Sequence, residues 1–431
     1  MKTVVVFSQS HLDFRISEFR ALCQMFNVSV STDHLNKEKH VHVLDFDNIL
    51  DVKNILSRSI LVKFAIELFT EANSYEELYD KIRNSDFLQK YDIMDNSYAI
   101  RFCSIGKKKL DSIERIIKFL EHVQFNKAPI NLKSPKNEFY IVEEYDNPTD
   151  ISPKTIYFGK LIDEGRSDLK TKYNLKERCY IGNTTMDPEL SFIQANLAMI
   201  ESNNIVLDPF VGTGGLLLPA AEFGAFVIGT EINYQTARAK GRSSRQGVGE
   251  RGDDESILAN FQQYGTDDKL MSIIIADSSK HGIWRQDPQF DAIIADPPYG
   301  VREKATKTVK TEKRKQENEE KEVDYVQYPE KQEYNLENAF CDLLDLGARC
   351  CAIGGRISFW YPVILENYSE ENIPHHPAME LLSNCEQGLT RKTSRRLLTY
   401  RKVRCTQENE STAILKSGVS NFRKVLFTPT A

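Results

Sequence analysis

Residues 205–215 read Ile-Val-Leu-Asp-Pro-Phe-Val-Gly-Thr-Gly-Gly, and they are the most informative stretch for the fold of the second half of the chain. The apolar run Ile205–Leu207 predicts a buried strand, and Leu216–Phe223 predicts a helix that ends at Gly224. The glycines between them let the backbone turn sharply and approach a ligand, towards which the helix start presents unpaired N–H groups. A single glycine loop is weak evidence for a cofactor site, so the segments around it have to be considered as well.

Acidic residues follow the next two predicted strands. Glu231 comes after the apolar run Phe226–Gly229 and stands 23 residues beyond Asp208, close to the spacing of about 20 at which a carboxylate binds a pair of ribose hydroxyls. Asp277 ends the run Met271–Ala276. Because the carboxyl ends of parallel strands line one crevice of an open α/β sheet, we expect the three acids to converge on a nucleoside-shaped cleft. One such acid would more simply cap a helix or turn, but three at successive strand ends favour a cleft.

The fourth predicted strand, Ala292–Ala295, leads into the tetrapeptide Asp296-Pro297-Pro298-Tyr299. This tetrapeptide suits a planar exocyclic amine, whose lone pair is delocalised into its ring. The Asp296 carboxylate can accept a hydrogen bond from one N–H of the amine, and the Pro297 carbonyl can accept one from the other N–H. The proline pair fixes the direction of that carbonyl. Tyr299 offers a ring face to a base that has been turned out of its stack. The alternative is a Pro-Pro turn with an Asp cap, which the preceding three acids disfavour.

This arrangement resembles the class I S-adenosylmethionine-dependent amino-methyltransferases, in which the glycine loop precedes an Asp-Pro-Pro-Tyr motif. Longer stretches resemble one family of that class, the eukaryotic tRNA guanosine N2-methyltransferases that act at position 10. These stretches are Tyr157–Lys160, Arg178–Pro188, Asp208–Gly215, Asp296–Arg302 and Ser383–Gln387. The resemblance covers residues 150–405 well, and the N-terminal part resembles that family's tRNA-binding THUMP region through weaker motifs.

The resemblance implies a doubly wound, Rossmann-like α/β methyltransferase sheet, preceded by an α+β THUMP-type region. It implies S-adenosyl-L-methionine as the cofactor, tRNA as the substrate and N2-methylguanosine as the product. It also implies a heterodimer with a small zinc-binding activator subunit. The expected architecture is therefore an RNA-binding region joined to a catalytic domain.

The resemblance also assigns roles to single residues. The segment Gly182–Pro188 would close over the methionine end of the cofactor, the glycine loop would hold that end, Glu231 would bind the ribose and Asp277 the adenine amine. The family often has Asp where this chain has Glu231, and either carboxylate can serve. The cofactor-binding residues that we predict are Thr185, Asp208, Phe210, Gly212, Thr213, Gly214, Glu231, Ile232, Asp277 and Ser278. The predicted catalytic residues, which would bind and activate the guanine amine, are Asp296, Pro297, Pro298 and Tyr299.

Composition divides the chain into further parts. Residues 1–150 alternate three strand-like runs with three helical runs, which predicts small α/β units. The strand-like runs are Val4–Phe7, Val41–Leu44 and Tyr98–Cys103, and the helical runs are Phe14–Met25, Ser59–Glu71 and Asp111–His122. Residues 151–186 are interpreted as a connector with the cofactor-closing segment, and residues 187–431 as the methyltransferase domain. Within that domain, residues 303–333 have mixed charges and almost no apolar side chains, which predicts a disordered insertion.

The charge balance excludes a wholly basic nucleic-acid coat protein, because 56 Lys and Arg stand against 62 Asp and Glu. Local basic stretches are nevertheless candidates for phosphate contacts. Residues 101–136 hold nine basic and three acidic residues, and residues 391–404 hold seven basic residues and no acid. A solvated helix face would explain the first stretch equally well. The second alternates with apolar residues, which predicts a strand with a basic edge or face, and residues 238–245 form a third basic cluster near the cleft.

Cysteine use and hydropathy indicate the cellular environment. Eight scattered cysteines without a CxxC pair exclude a disulfide scaffold and argue against a structural zinc site, so we expect no metal ligands in the chain. No apolar run approaches the roughly 18 residues of a membrane helix. We therefore expect a cytoplasmic protein without membrane contact.

Two alternative functions stay open. The tetrapeptide alone does not separate this guanine amine from another tRNA guanine, adenine N6 or a glutamine amide, since each presents a similar N–H pair. A non-catalytic tRNA-binding subunit could also keep the fold. The intact segments Asp296–Tyr299 and Gly212–Gly214 argue against that second alternative.

Overall fold

The computed structural model describes residues 1–107, 113–123, 125–285, 287, 289–300, 305–309, 330–414 and 419–427. The chain divides into two compact units, Met1–Ser167 and Asp168–Ala431. None of the helices in the described part combines the length and the apolar composition that crossing a membrane requires.

The first unit is built on a six-stranded sheet. Its strands are β1 Lys2–Phe7, β2 Val41–Asp45, β3 Val62–Ala72, β4 Tyr98–Ile105, β5 Asn137–Glu144 and β6 Thr155–Glu164. They lie in the order β2-β1-β3-β6-β5-β4, in which only β4 and β5 pair in parallel. The helices are α1 Arg15–Met25, α2 Ile49–Leu56, α3 Tyr75–Arg83 and α4 Ile113–His122. The unit is thus a mixed α+β fold, as expected for its region.

The predicted strands of this unit are confirmed, and so are the helices at Phe14–Met25 and Asp111–His122, apart from residues 111–112, which lie outside the described residues. The predicted helix Ser59–Glu71 is wrong, because Val62–Ala72 forms β3. This strand pairs with β1 on one side and β6 on the other, so its backbone groups are satisfied by neighbouring strands. A mainly apolar segment with a few charged residues suits a central strand as well as a helix, and pairing with the neighbouring strands decided which of the two forms.

Strand β6 also bears on the boundary between the units. Residues 155–164 pair with β3 and β5 inside the first sheet. The compact division accordingly falls after Ser167, and the boundary that we expected at residue 150 precedes the last strand of this sheet.

The second unit is built on a seven-stranded sheet and a short hairpin. The sheet strands are β7 Ile205–Asp208, β8 Phe226–Glu231, β9 Leu270–Ile275, β10 Phe290–Ala295, β13 Cys351–Ile364, β14 Met379–Gly388 and β15 Thr393–Lys402, and the hairpin strands are β11 Thr306–Val309 and β12 Glu330–Glu333. The helices are α5 Asp168–Lys172, α6 Pro188–Leu197, α7 Leu217–Glu222, α8 Tyr234–Ala237, α9 Ile257–Tyr264, α10 Leu336–Cys350 and α11 Phe422–Leu426.

The order of the strands places the cleft. It is β14-β15-β13-β10-β7-β8-β9, and β15 alone runs antiparallel to the other six strands. The chain moves outward from β7 to β8 and β9 on one side, and then returns to β10 on the other side. This reversal makes β7 the switch point at which a doubly wound sheet opens a crevice beyond its carboxyl ends. The predicted doubly wound α/β fold is therefore confirmed.

Apolar packing holds the sheet against its helices. Phe340, Leu343 and Leu344 of α10 are buried against Ile357 and Phe359 of β13. Residue 347 of the same helix is glycine, and a Cβ there would stand 2.9 Å from Cγ2 of Ile357. The close approach keeps β13 and its neighbour β10 fixed behind the cleft.

The predicted disordered insertion is wrong at its two ends. Thr306–Val309 and Glu330–Glu333 pair as an antiparallel hairpin, with Thr306 opposite Glu333 and Val309 opposite Glu330. Beside the hairpin, Ala305, Tyr334 and Ala339 form a small apolar cluster that anchors its base. Composition across the segment as a whole obscured this local anchor. Residues 303–304 and 310–329 lie outside the described residues.

Candidate active site

Every predicted site residue except Gly214 lines a single cleft in the second unit, at the carboxyl ends of β7, β8, β9 and β10. The cleft has a volume of about 740 Å³, within the range of about 300–1,000 Å³ that is usual for small-molecule sites. Gly214 lies behind the cleft, where an added Cβ would stand 3.0 Å from Cγ2 of Ile257. The parallel strands thus bring together residues that are far apart in the sequence.

The glycine loop turns at positions that glycine suits best. Gly212 and Gly214 have φ angles of 52° and 83°, in the left-handed region that side chains disfavour. The N–H of Gly214 donates to the carbonyl of Val211 at 2.8 Å and closes the turn before α7. Bare backbone therefore forms this wall of the cleft.

Thr185 fastens the preceding segment to this loop. Its hydroxyl accepts a hydrogen bond from the N–H of Gly182 at 2.7 Å and lies 3.0 Å from the hydroxyl of Thr213. Asp187 then begins α6 by accepting from the N–H of Glu189 at 2.9 Å. The segment thus reaches the cleft wall through one threonine pair.

Asp208 is the most deeply buried of the acids, with only 1% of its surface exposed. It accepts a hydrogen bond from the N–H of Phe210 at 2.9 Å. Burial raises the pKa of Asp208 well above its usual value, and the negative charges of Asp296 and Glu231 raise it further. Three carboxylates that converge in this way favour a cationic ligand, because a positive charge relieves their mutual repulsion.

Glu231 joins the glycine loop to the end of β8. One carboxylate oxygen accepts from the N–H of Gly212 at 3.1 Å, and the other accepts from the N–H of Asn233 at 2.7 Å. Ile232 lines the cleft beside it. This bidentate use of Glu231 fixes its carboxylate at the position where a ribose would meet it.

Asp277 follows β9 and accepts hydrogen bonds from one residue of the insertion and from one nearby residue. It accepts from the N–H and the hydroxyl of Thr308, at 2.6 and 2.8 Å, and from the N–H of Ser279 at 2.9 Å. Burial alone would raise the pKa of Asp277, but these hydrogen bonds outweigh it and lower the pKa. The hairpin therefore contacts the carboxylate that we assigned to the adenine amine.

Ser278 uses its hydroxyl within the protein. The hydroxyl donates to the carbonyl of Pro209 and lies 3.1 Å from the hydroxyl of Thr230. It ties β8 and β9 to the start of the glycine loop. Ser278 nevertheless lines the cleft, as does Phe210.

The tetrapeptide Asp296–Tyr299 directly follows β10, the strand that pairs with β7. Gln194 of α6 fixes the end of β10 that leads into the tetrapeptide. Its side-chain amide donates hydrogen bonds to the carbonyls of Ala295 and Ser358, at 3.3 and 2.8 Å. The indole N–H of Trp360 in turn donates to the Gln194 side chain at 3.0 Å. A buried polar network thus sets the direction in which the tetrapeptide leaves the sheet.

Arg395 of β15 is a cleft residue that the sequence did not single out. Its Nη1 donates to the Tyr299 hydroxyl at 3.2 Å and lies 3.8 Å from a carboxylate oxygen of Asp296. The signal was present in the alternating basic and apolar residues of 391–404, but we interpreted these as a surface that binds phosphates. The other cleft residues that the sequence analysis missed include Arg251, Lys331 and Tyr334.

Residues 391–404 contain β15, which confirms the predicted strand, and several of their basic side chains have partners within the protein. Arg396, Arg401 and Arg404 pair with Glu386, Glu380 and Glu410. Lys402 is buried and donates to the carbonyl of Cys351 at 2.8 Å. Glu380 and Glu386 of β14, together with Glu410, supply acids that the local sequence lacks, and they pair with three of the seven basic residues.

The third basic cluster is divided between two roles. Arg242 lines the cleft. Arg245 instead pairs with Asp254, at 2.8 and 3.0 Å, and so closes its own loop. Only part of the cluster can therefore meet a substrate.

Comparisons with known proteins agree with the two units. Residues 1–167 match the family model described as "Tmrp11 THUMP N-terminal domain", and residues 176–322 match the model described as "RMKL-like, methyltransferase domain". The first match ends where the first compact unit ends. The second covers the glycine loop and the tetrapeptide.

Full-length relatives share both parts. The human protein named tRNA (guanine(10)-N(2))-methyltransferase TRMT11 is 37% identical over 441 residues, which cover 99% of this chain and 95% of the human protein. The Saccharomyces cerevisiae protein named tRNA (guanine(10)-N(2))-methyltransferase is 30% identical over 442 residues, with 99% of each chain covered. Among solved structures, TrmN from Thermus thermophilus aligns over 94% of this chain and all of its own, at 14% identity and a TM-score of 0.47.

Proposed function

The chain belongs to the family of tRNA (guanine(10)-N(2))-methyltransferases, and from that premise we propose how its cleft carries out the reaction. As a member of this family, it is an S-adenosyl-L-methionine-dependent enzyme that methylates the exocyclic N2 amine of guanosine 10 in tRNA, giving N2-methylguanosine. The observation that carries our assignment is the convergence of the glycine loop, three carboxylates and Asp296–Tyr299 on one cleft.

The cofactor fits one side of this cleft. The bare backbone at Gly212 lets the methionine end approach closely, since a side chain there would have to adopt a left-handed conformation. Glu231 already presents a fixed carboxylate to the ribose hydroxyls. The net positive charge of S-adenosyl-L-methionine is complementary to Asp208, Glu231 and Asp296, whose mutual repulsion raises the pKa of Asp208 beyond the effect of burial.

The target base fits the other side. The Asp296 carboxylate and the Pro297 carbonyl each accept a hydrogen bond from one N–H of the guanine amine. The lone pair on the amine nitrogen is then directed towards the cofactor. Tyr299 offers its ring to the base, and its hydroxyl is held by Arg395 at 3.2 Å. When bound, the cofactor supplies an electrophilic methyl group. Most of the rate gain then comes from alignment and from the electrostatic effect of Asp296 on the amine, which becomes positive as it reacts.

Asp277 serves the adenine amine only after a rearrangement. One of its oxygens accepts hydrogen bonds from the N–H and the hydroxyl of Thr308, and the other accepts one from the N–H of Ser279, so the adenine amine has to share an oxygen with one of these residues. We therefore propose that the hairpin of β11 and β12 shifts when the cofactor binds.

The first unit contributes tRNA contacts through its basic stretch. Arg101 and Arg115 pair with Glu138 and Glu143 and are thereby engaged within the sheet. The ammonium groups of the exposed lysines in the same stretch form no salt bridge among the described residues, and we assign the phosphate contacts to them. They are Lys118, Lys127, Lys133 and Lys136.

The direct test is transfer of a labelled methyl group to unmodified tRNA, followed by digestion and identification of the nucleosides. Asp296→Ala is the matched variant, since it removes one acceptor and leaves the glycine loop intact. N2-methylguanosine that forms at position 10 with the native chain, and not with the variant, supports the assignment. Methylation of a different base, or equal activity of the variant, would refute it.

We further propose that the partner is a small zinc-binding activator subunit and that it covers the edge strand β9. This strand is the last of the sheet, and Met271, Ile274 and Ile275 are 54%, 37% and 40% exposed. An apolar edge strand favours association with another chain unless it is covered. No group of three or more His, Cys, Asp or Glu in the described part of the chain could hold a metal, so the zinc would belong to the partner.

Co-production of the two chains tests this surface. Ile274→Arg on β9 should abolish co-purification of the activator and of its zinc, measured by elemental analysis. Leu258→Arg, on α9, replaces a side chain that is also exposed (48%) and serves as the control. A complex that survives Ile274→Arg would place the interface elsewhere.

We also propose that the enzyme acts in the cytoplasm. All eight cysteines are free thiols, which is usual in a reducing compartment. Microscopy of a fluorescently tagged chain tests this, and a signal confined to a secretory compartment would contradict it.

A further inference from the structure

Arg395 enters the cleft from a strand that carries none of the predicted site residues. It lies on β15, between β13 and β14, and only 11% of its side chain is exposed. Its position beside both Asp296 and Tyr299 places a positive charge at the end of the cleft that we assign to the base. A nearly buried arginine in such a place calls for a role.

The guanidinium is held on several sides. Its Nε donates to the side-chain oxygen of Gln387 at 2.6 Å, and its Nη2 lies 3.2 Å from the sulfur of Met186. Its central carbon stands 4.2 Å from the centre of the Trp360 ring. Such a fixed group presents its remaining donors in set directions, with little entropy left to lose on binding.

Donors remain after these contacts. A guanidinium has five N–H groups. Among the described residues, Gln387, Met186 and the Tyr299 hydroxyl take one each. One N–H on each terminal nitrogen is therefore available to a substrate, next to an Asp296 oxygen at 3.8 Å.

The guanine edge matches this arrangement of groups. It presents the N2 amine and N1–H as donors, followed by O6 as an acceptor. If the amine and N1–H face Asp296, the next group along the edge needs a donor, and arginine is the side chain that most often binds O6 of guanine. On the basis of the proposed function, we propose that Arg395 donates a hydrogen bond to O6 of the target guanine and selects it over amine-bearing bases that lack this carbonyl.

A purely positioning role makes a different prediction. If Arg395 only held Asp296 and Tyr299, its loss would slow transfer to any base amine by the same factor. If it binds O6, its loss slows transfer to guanine selectively. The two roles can be separated with 2-aminopurine, which has the amine but lacks O6.

The experiment uses the complex with its activator and two ligated tRNAs, which carry guanine or 2-aminopurine at position 10. We expect the native enzyme to prefer guanine in kcat/KM, and Arg395→Met to lower that preference by about 10- to 100-fold, the value of a hydrogen bond to a charged group. The missing N1–H of 2-aminopurine affects native and variant enzymes alike, so it cancels in this comparison. Equal losses on both tRNAs, or a native enzyme without preference, would overturn the proposal.

Further variants guard against misfolding. Arg395→Lys keeps the charge and one donor, and should retain part of the preference for guanine. Arg401→Met removes an arginine from the same strand that pairs with Glu380, and should change neither rate. Cofactor affinity, measured by calorimetry, should be similar in all variants. A native complex that methylates neither tRNA would refute the proposed function itself, together with this inference.

Discussion

Asp208→Asn should stabilise the second unit by an amount that grows with pH. Asp208 is 1% exposed and has its pKa raised well above the usual value, first by burial and then by Asp296 and Glu231. An acid with a raised pKa contributes stability that is complete below its unfolded pKa and is lost as pH rises to the folded value. Asparagine keeps the shape and the hydrogen bond from Phe210 but does not ionise.

The magnitude follows from proton linkage. Above about pH 4, where an unfolded aspartate ionises, the native chain should lose about 1.4 kcal/mol per pH unit relative to the variant. The loss should end once the pH passes the raised pKa, so the plateau reports that pKa. Since about 1 kcal/mol shifts a unit of this size by roughly 2–4 °C, the melting temperatures should diverge by about 3–6 °C per pH unit.

Tryptophan fluorescence is the appropriate assay, because Trp284 and Trp360, the two tryptophans of the chain, both lie in the second unit. Melting would be followed from pH 4.5 to 8.5 for both proteins. Gln262→Ala, which changes an exposed side chain of α9 that does not ionise, provides the control and should shift the melting temperature by an amount that does not depend on pH. If the difference in melting temperature between Asp208→Asn and the native chain were also independent of pH, burial and neighbouring charge would not disfavour ionisation at this site.

Three further outcomes are expected. Asp296→Ala should lower kcat by about 10²- to 10⁴-fold and cofactor affinity by less than about 10-fold, because the carboxylate acts chiefly on the base and is one of three acids near the cationic cofactor; calorimetry that shows a larger loss of affinity would contradict this. Glu231→Gln should weaken cofactor binding by about 10- to 100-fold through its ribose contact, with a smaller effect on kcat at saturation; unchanged affinity in the same titration would move the ribose elsewhere. Thr308→Val removes one donor from Asp277 and should tighten cofactor binding by up to about 10-fold, whereas weaker binding would show that Thr308 supports the site.

The sequence predicted the parts of the site that depend on local order. Asp208, Glu231, Asp277 and Asp296 each follow an apolar run, and a parallel sheet brings such strand ends together whatever the loops do. The prediction of the glycine loop also depended on local sequence, since its turn requires the glycines at positions 212 and 214. For these residues, a strand and its end were enough to predict the place.

Features that depend on distant pairing were missed. Whether Val62–Ala72 was a strand or a helix depended on β1 and β6, which no local pattern reveals. The role of Arg395 depended on β15 inserting beside β13, where it faces a tetrapeptide almost a hundred residues earlier in the chain. The contact between Thr308 and Asp277 likewise joins an insertion to a strand end on the far side of the tetrapeptide.

The place of β15 in the sheet has a consequence for how the enzyme is made. Within the described part of the chain, β14 has β15 as its only strand neighbour, yet the ribosome completes β14 first. In a growing chain, β7, β8 and β9, which carry or precede the predicted cofactor-binding acids, are therefore complete before β14 can pair with β15. Arg395 and the base side of the cleft are completed only when β15 emerges and inserts between β13 and β14. A chain that ends before residue 393 would lack both Arg395 and the strand that pairs with β14, so the base side of the cleft is the last part of the site to be synthesised.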